Sequence, residues 1–329
     1  MWIREPDYYG AFRCLAGACP HTCCAGWEVV VDPETAERYR TLPGALGEEL
    51  RAALIRDGDG DWCFQNRDGR CPFLDGAGLC RIHRQLGPRA TSLTCQEHPR
   101  FIEDYGPFRE VTLSASCPAA CALLLGDQGP LTFPVRETAD PEEPGDPWLV
   151  GLVPLRERML VMLADRSRPL EVRLTVLLDW AAAAQDLLDR DLPEALADLP
   201  EPAEPRARLP QAENLLALLE TLEVLEPDWP QVLRAAASAP TAEVPEPLRE
   251  RVCVYFAFRY LLKAVNDGDL LSRARLCAAA VTAFSRLAAV CGAEEGLRRL
   301  SCEVEHSRPN LEALLEWCRG GMGLDCAFR

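Results

Sequence analysis

Ten of the sixteen cysteines fall within the first 121 residues, and none lies between Cys121 and Cys253. The string Cys14, Cys19, Cys23, Cys24 is followed by Cys71, Cys80, Cys95 and Cys117, interleaved with small residues and prolines. Thiolates gathered this densely point to metal chemistry, because soft sulfur ligands hold zinc in sets of four and a four-iron cluster in sets of four as well. Count alone does not choose between the two. Adjacent Cys23 and Cys24 do not both face one tetrahedral ion from a regular strand, where successive side chains point opposite ways. Two centres, or an irregular loop wrapped around one larger cluster, relieve that conflict.

Disulfides are the competing reading, and they need an oxidising compartment. The opening run Met1-Trp2-Ile3-Arg4-Glu5-Pro6-Asp7 has no apolar leader core, so the expectation is a cytoplasmic chain whose clustered thiols stay reduced and bind metal. A third account makes the cysteines small core hydrophobes. It suits Cys253, Cys277, Cys291, Cys302, Cys318 and Cys326, which show no ligand spacing. His21, His83 and His98, three of the four histidines, sit beside cysteines. Each is a candidate ligand, proton carrier or hydrogen-bond support for a ligand, and each equally suits a partly exposed polar position. Trp27 and Tyr39 suit a roof over a small core better than a stack on adenine. Arg100 reads as a carboxylate partner or a solvated charge.

These residues need elements to position them. Glu28 to Val31 suits a short strand, and Asp32-Pro33 a helix start, with Asp accepting from free amides and Pro preset at the first helical position. That helix carries Tyr39 and Leu42 and stops near Pro43-Gly44. Phe108 to Ser116 alternates loosely and suits a strand that delivers Cys117-Pro118. The pattern predicts a mainly α protein: an irregular cysteine-rich metallodomain with a few short strands over 1–125, a Pro- and acid-rich linker over 126–147, and an α-helical domain over 148–329. Apolar spacing predicts helices over Leu152–Leu163, Leu170–Leu188, Ala212–Leu225 and Leu248–Val265, with breaks at 193–210 and 227–248. A further stripe runs through Leu276, Ala280, Phe284, Leu287 and Cys291, and Ser307 heads a capped final helix.

Composition narrows the partners. With 48% hydrophobic residues the 329-residue chain can bury a substantial core. Its longest apolar runs, around Val252–Phe258 and Cys277–Val281, fall short of the roughly 20 residues that span a bilayer, so no membrane partner is expected. A net charge of −16 argues against a nucleic-acid ligand and tolerates a basic, lysine-presenting one. Lys263 is the sole lysine among 35 basic residues, a bias that codon usage explains by itself.

The ordered motifs resemble the flagellin lysine-N-methylase family over nearly the whole chain, and the N-terminal part is similar to a broader group of zinc- or iron-chelating domains built on a Cys-x3-Cys-Cys core. The residues that carry the resemblance are Phe12-Arg13-Cys14, Cys19-Pro20-His21-Thr22-Cys23-Cys24-Ala25-Gly26-Trp27 and Gly69-Arg70-Cys71-Pro72-Phe73-Leu74. Gly78-Leu79-Cys80-Arg81-Ile82-His83, Leu93-Thr94-Cys95, His98-Pro99-Arg100 and Leu113-Ser114-Ala115-Ser116-Cys117-Pro118 continue it. Phe258-Arg259-Tyr260, Asp267-Gly268-Asp269 and Glu305-His306-Ser307, leading into Asn310-Leu311, look like the family's later landmarks.

The resemblance implies metal ligands at Cys14, Cys19, Cys23, Cys24, Cys71, Cys80, Cys95 and Cys117, with Cys63 and Cys121 as extras. It implies transfer of a methyl group from S-adenosylmethionine to lysines of flagellin by an enzyme that contains an iron–sulfur cluster of the 4Fe-4S type, zinc being the alternative. A non-enzymatic zinc- or iron-chelating module for storage, sensing or delivery is the rival. No Gly-x-Gly loop follows a convincing strand, so the doubly wound methyltransferase domain is not visible. Nor is a radical-type cysteine triplet present, since a third cysteine would fall at Gly26.

Overall fold

The computed structural model describes residues 1–26, 29–58, 60–66, 68–240 and 243–322. Along the chain run β1 (Trp2–Arg4), α1 (Pro33–Thr41), α2 (Gly44–Ala53), β2 (Leu54–Arg56), β3 (Trp62–Phe64), α3 (Arg81–Leu86) and α4 (Leu93–Glu97). Then come β4 (Arg100–Asp104), β5 (Phe108–Leu113), α5 (Pro118–Gly126), β6 (Val135–Glu137), α6 (Leu149–Leu163), α7 (Leu170–Leu188) and α8 (Ala195–Asp198). The chain ends with α9 (Ala212–Leu219), α10 (Trp229–Ser238), α11 (Glu246–Tyr260), α12 (Leu270–Cys291), α13 (Ala293–Glu305) and α14 (Arg308–Arg319). The protein is mainly helical with a few short strands.

Two compact units divide the chain and interleave in sequence. One holds residues 12–101 and 117–120; the other holds 1–11, 102–116 and 121–329. The first, the cysteine unit, is built of short pieces. Asp32 starts α1 as the motif predicts, its carboxylate accepting from Thr35 N–H (2.9 Å) and Leu93 N–H (2.9 Å). Val29 and Val31 are buried while Val30 faces out, the alternation of a strand, and this segment bonds β3 through Val31 N–H to Trp62 O and Phe64 N–H to Val29 O. Glu28 of that predicted strand, and Trp27, lie outside the described residues. A small core of Tyr39, Leu50, Phe64, Phe73 and Ile82 joins these pieces. Tyr39 belongs to it, stacked on Phe64 and donating to Ala90 O (2.7 Å).

The second, helical unit is organised around α12, which packs against α7, α9, α10, α11, α13 and α14. At 22 residues α12 is long and apolar enough to cross a membrane by length and composition, beyond what its shorter apolar run suggests. The sequence around it supplies enough partner helices to bury it as a core element. In α11 every residue from Glu250 to Tyr260 is buried, as a helix surrounded by others requires. A four-stranded sheet of order β4-β5-β1-β6 accompanies the helices, β1 running parallel to β5 and antiparallel to β6. Trp2 and Phe108 are register partners whose rings stack at 4.2 Å.

Helix ends differ from the periodic pattern where side chains capture backbone. The helix expected over Ala212–Leu225 ends at Leu219, because Asn310 Oδ1 accepts from Glu223 N–H (2.9 Å) and the Glu303 carboxylate from Leu225 and Glu226 N–H (2.9 and 2.7 Å). Those amides are satisfied without continuing the helix. The segment 227–248, read as a break, contains α10, whose Pro230 sits in its first turn. There the proline starts a helix instead of stopping one.

Candidate functional site: a field of thiols and a locked polar cluster

All eight cysteines of the family pattern fall in the cysteine unit, Cys117 rejoining it across the sequence through the short return 117–120. Cys121 falls in the helical unit, where its thiol donates to Glu294 O (3.2 Å). Cys63 is buried in β3. No disulfide joins the described cysteines. Cys71 feels the thiols of Cys24, Cys80 and Cys95, Cys95 feels those of Cys24 and Cys80, and Cys80 feels that of Cys24, which groups the four as a tetrad. Burial raises Cys71 to about 12 and Cys95 to about 11, the neighbouring thiols adding to the rise. Burial raises Cys80 too, with Cys24 and Asp75 reinforcing it.

A second neighbourhood links Cys117 with Cys19 and Cys14, again raised first by burial. Cys23 connects the two, bonded to Cys24 and feeling both Cys14 and Cys95. That hydrogen bond pulls Cys24 down and Cys23 up, so the pair sheds one proton readily and holds the other.

Backbone amides are aimed at several sulfurs. Ala16 N–H donates to Cys14 Sγ (3.4 Å) and His83 N–H to Cys80 Sγ (3.5 Å), the latter placing the sulfur as cap of α3. Amides of Phe73, of Ala119 and of Ala120 similarly favour the thiolates of Cys71 and Cys117. Such donors, with helix N-termini, stabilise sulfur as an anion. Among the described residues no three His, Cys, Asp or Glu side chains are arranged to hold a metal ion. In its chemistry the donor set still fits a thiolate-ligated centre: clustered sulfurs, with amides favouring the thiolates of Cys71, Cys80 and Cys95, whose proton affinity a cation would lower. Of the neighbouring histidines, His83 contributes its backbone amide to Cys80, and His21 its carbonyl as acceptor for Cys19 Sγ (3.2 Å). Arg100 lies over the Phe12 ring at 5.6 Å.

Among the second-half cysteines, Cys253, Cys277 and Cys318 are buried in the helical unit and Cys291 and Cys302 half-buried, while Cys326 lies outside the described residues. The same unit gathers three of the sequence landmarks. Glu305 accepts from Arg259 Nε (2.6 Å), Ser301 Oγ (2.6 Å), Tyr260 OH (3.0 Å) and Tyr255 OH (3.1 Å). Its neighbour His306 places Nε2 2.8 Å from Ser114 Oγ and 2.9 Å from Ser116 Oγ. Burial, with Arg259, holds this imidazole toward its neutral form. Sequence reasoning named these motifs without seeing that they meet, and the signal for Tyr255 and Ser301 is their helical spacing, four residues before Arg259 and before Glu305.

A mainly helical protein with a cysteine-rich unit over 12–101 and 117–120 is the class these features define. The chain is 30% identical over 131 residues, 38% of its length, to the flagellar biosynthetic protein FliU of Salmonella muenchen, of which it covers 78%. It is likewise 30% identical over 131 residues to the lysine-N-methylases of Salmonella typhimurium and Salmonella choleraesuis, spanning 33% of each. The chain belongs to the flagellin lysine-N-methylase family. No family model matches it, and no solved structure does.

Proposed function

We propose that this protein is a cytoplasmic protein-lysine N-methyltransferase that uses S-adenosylmethionine, acts on flagellin, and carries an iron–sulfur cluster in its cysteine unit. The kinship with proteins named lysine-N-methylase carries this reading. The thiol chemistry supports the cluster: Cys24, Cys71, Cys80 and Cys95 would hold it, with Cys14, Cys19, Cys23 and Cys117 as the adjoining sulfurs. When bound, a cluster cross-links a unit whose own apolar core is small.

Methylating an amine requires the neutral nitrogen, since an ammonium has no lone pair. The chain's work is therefore to desolvate the target lysine, take its proton and hold the nitrogen in line with the donor's methyl group. The acidic surface, net −16, suits a substrate that presents lysines. Transfer of labelled methyl from S-adenosylmethionine to purified flagellin by the anaerobically prepared protein tests the proposal. Label should appear in flagellin and vanish with Cys71→Ala and Cys95→Ala. Metal-loaded protein that neither binds the donor nor transfers label would overturn it in favour of the chelating module.

A further inference from the structure

We propose that a cleft in the helical unit, walled by Trp148, Gln185, Asp189, the Asp267-Gly268-Asp269 turn and Arg275, binds the methyl donor: a purine nucleoside joined to a zwitterionic amino acid. The assignment rests on the methyltransferase reading and adds to it the place of the donor, which no Gly-x-Gly loop marks in the sequence. The cleft measures about 410 Å³, within the range of small-molecule sites.

Its walls are fixed in advance. The Gln185 side chain, on α7, donates to Gly268 O (2.7 Å) and accepts from Leu270 and Leu271 N–H (2.9 and 3.1 Å), so one amide pins the turn that enters α12. Gly268 has φ +74°, and a Cβ there would meet the Trp148 ring at 3.1 Å. Glycine is required both by the backbone and by the indole against it. Trp148 Nε1 donates in turn to Asp191 (3.3 Å), a non-glycine residue at φ +56°.

Charge decides the ligand. Asp267 is paired with Arg273 and Asp269 with Arg319. Among the described residues the cleft's other carboxylate and other guanidinium have no ion pair: Asp189 accepts from the Gln185 amide (2.8 Å), and Arg275 donates to Cys318 O (2.7 Å). One spare anion and one spare cation, beside an aromatic ring, complement a zwitterion carrying a purine: Arg275 for its carboxylate, Asp189 for its ammonium or ribose hydroxyls, Trp148 for the base. A lysine side chain alone would use the carboxylate and leave Arg275 facing a cation.

Calorimetric titration of the full chain with S-adenosylhomocysteine tests this. Trp148→Ala should weaken binding about tenfold or more, the loss of one base–aromatic stack, and Asp189→Asn about threefold to tenfold, the loss of a charged hydrogen bond. Asp189→Asn should keep the wild-type melting temperature, and both variants should raise KM for the donor without raising it for flagellin. Glu312→Gln, an exposed change on α14, should do neither. If both cleft variants bind the donor analogue as wild type does while wild type methylates, the donor site lies elsewhere and the methylase reading stands. If they raise KM for flagellin alone, the cleft is an acceptor site and this proposal fails. Wild-type protein that neither binds the analogue nor transfers methyl would sink the methylase reading itself.

Discussion

The two units handle buried charge in opposite ways. In the helical unit three buried carboxylates meet guanidinium groups, Arg173 with Glu250 (2.7 Å), Arg156 with Glu110 (2.6 Å) and Arg259 with Glu305 (2.6 Å), and a fourth, Glu303, accepts from the Leu225 and Glu226 amides. In the cysteine unit the clustered ionisable groups are like facing like, thiols whose own neighbours raise their proton affinity. The helical unit balances these buried charges within the polypeptide, whereas the cysteine unit leaves thiol beside thiol, and the proposed cluster would replace their protons with positive charge. The first contrast to break is therefore at Glu305. Glu305→Ala strands the Arg259 guanidinium in the core without its counter-charge, at a cost of about 3–5 kcal/mol. Denaturant titration should show a much lower midpoint, with the metal content of the residual folded protein unchanged. A midpoint like wild type would mean that the helical unit does not depend on charge pairing.

The complementary test exchanges cysteines between units. Cys95→Ser and Cys80→Ser should abolish iron and sulfide content, read by elemental analysis and visible absorption, and leave the helical unit's unfolding transition in place. Cys277→Ala, in α12, should leave metal content intact and cost about 1 kcal/mol through lost packing. If Cys277→Ala depletes metal as strongly as Cys95→Ser, the division between ligand and packing thiols is wrong.

How much of this was legible in advance depended on whether a residue's role is local. Asp32-Pro33 announced α1, Ser307 announced α14, and Leu170–Leu188 matched its helix end to end, because caps and apolar periodicity act within a few residues. Glu303 and Asn310 were opaque, since each stops a helix more than seventy residues away by taking its amides. The eight cysteines were legible as a set, their grouping was not. No spacing rule says that Cys24 lies near three thiols some fifty to seventy residues on, or that Cys23 beside it feels both Cys95 and Cys14. Likewise the sequence offered Asp267-Gly268-Asp269 as a landmark, while the cleft it lines exists only once Gln185 and Trp148 reach it from other helices.

The pH dependence should separate the units more gently. A thiol whose pKa is raised on folding keeps its proton where the unfolded chain has lost it, so its stabilising contribution is complete below the unfolded value and disappears as pH climbs through the folded one. For Cys71 that window runs from about 9 to about 12. Metal-free protein should lose stability in the cysteine unit across this range, and Cys71→Ser should flatten the slope. Metal-loaded protein should show no such slope, because its ligands have already given up their protons. A slope that survives Cys71→Ser, Cys95→Ser and metal loading alike would assign the titration to other groups.

The smallest expected difference compares two helix caps. Ser307 accepts from Asn310 N–H (3.3 Å) at the start of α14, and Ser307→Ala should cost about 1 kcal/mol. Asp32→Ala should cost more than that, because the carboxylate serves Thr35 N–H of α1 and also Leu93 N–H at the start of α4, two residues before Cys95. The excess should carry a pH signature. Burial opposes the charged form of Asp32, but the Leu93 and Thr35 amides outweigh it and hold its pKa below the ordinary carboxylate value. Its contribution is therefore present above about pH 4 and lost as pH falls further, whereas Ser307 caps with a neutral hydroxyl whose one charged partner is Glu223, to which it donates (3.0 Å). Melting curves of both variants between pH 7 and pH 3, referenced to wild type, make the comparison: the Asp32 difference should shrink with acid more steeply than the Ser307 difference. Parallel behaviour of the two would remove the link that ties α1 to the Cys95 helix.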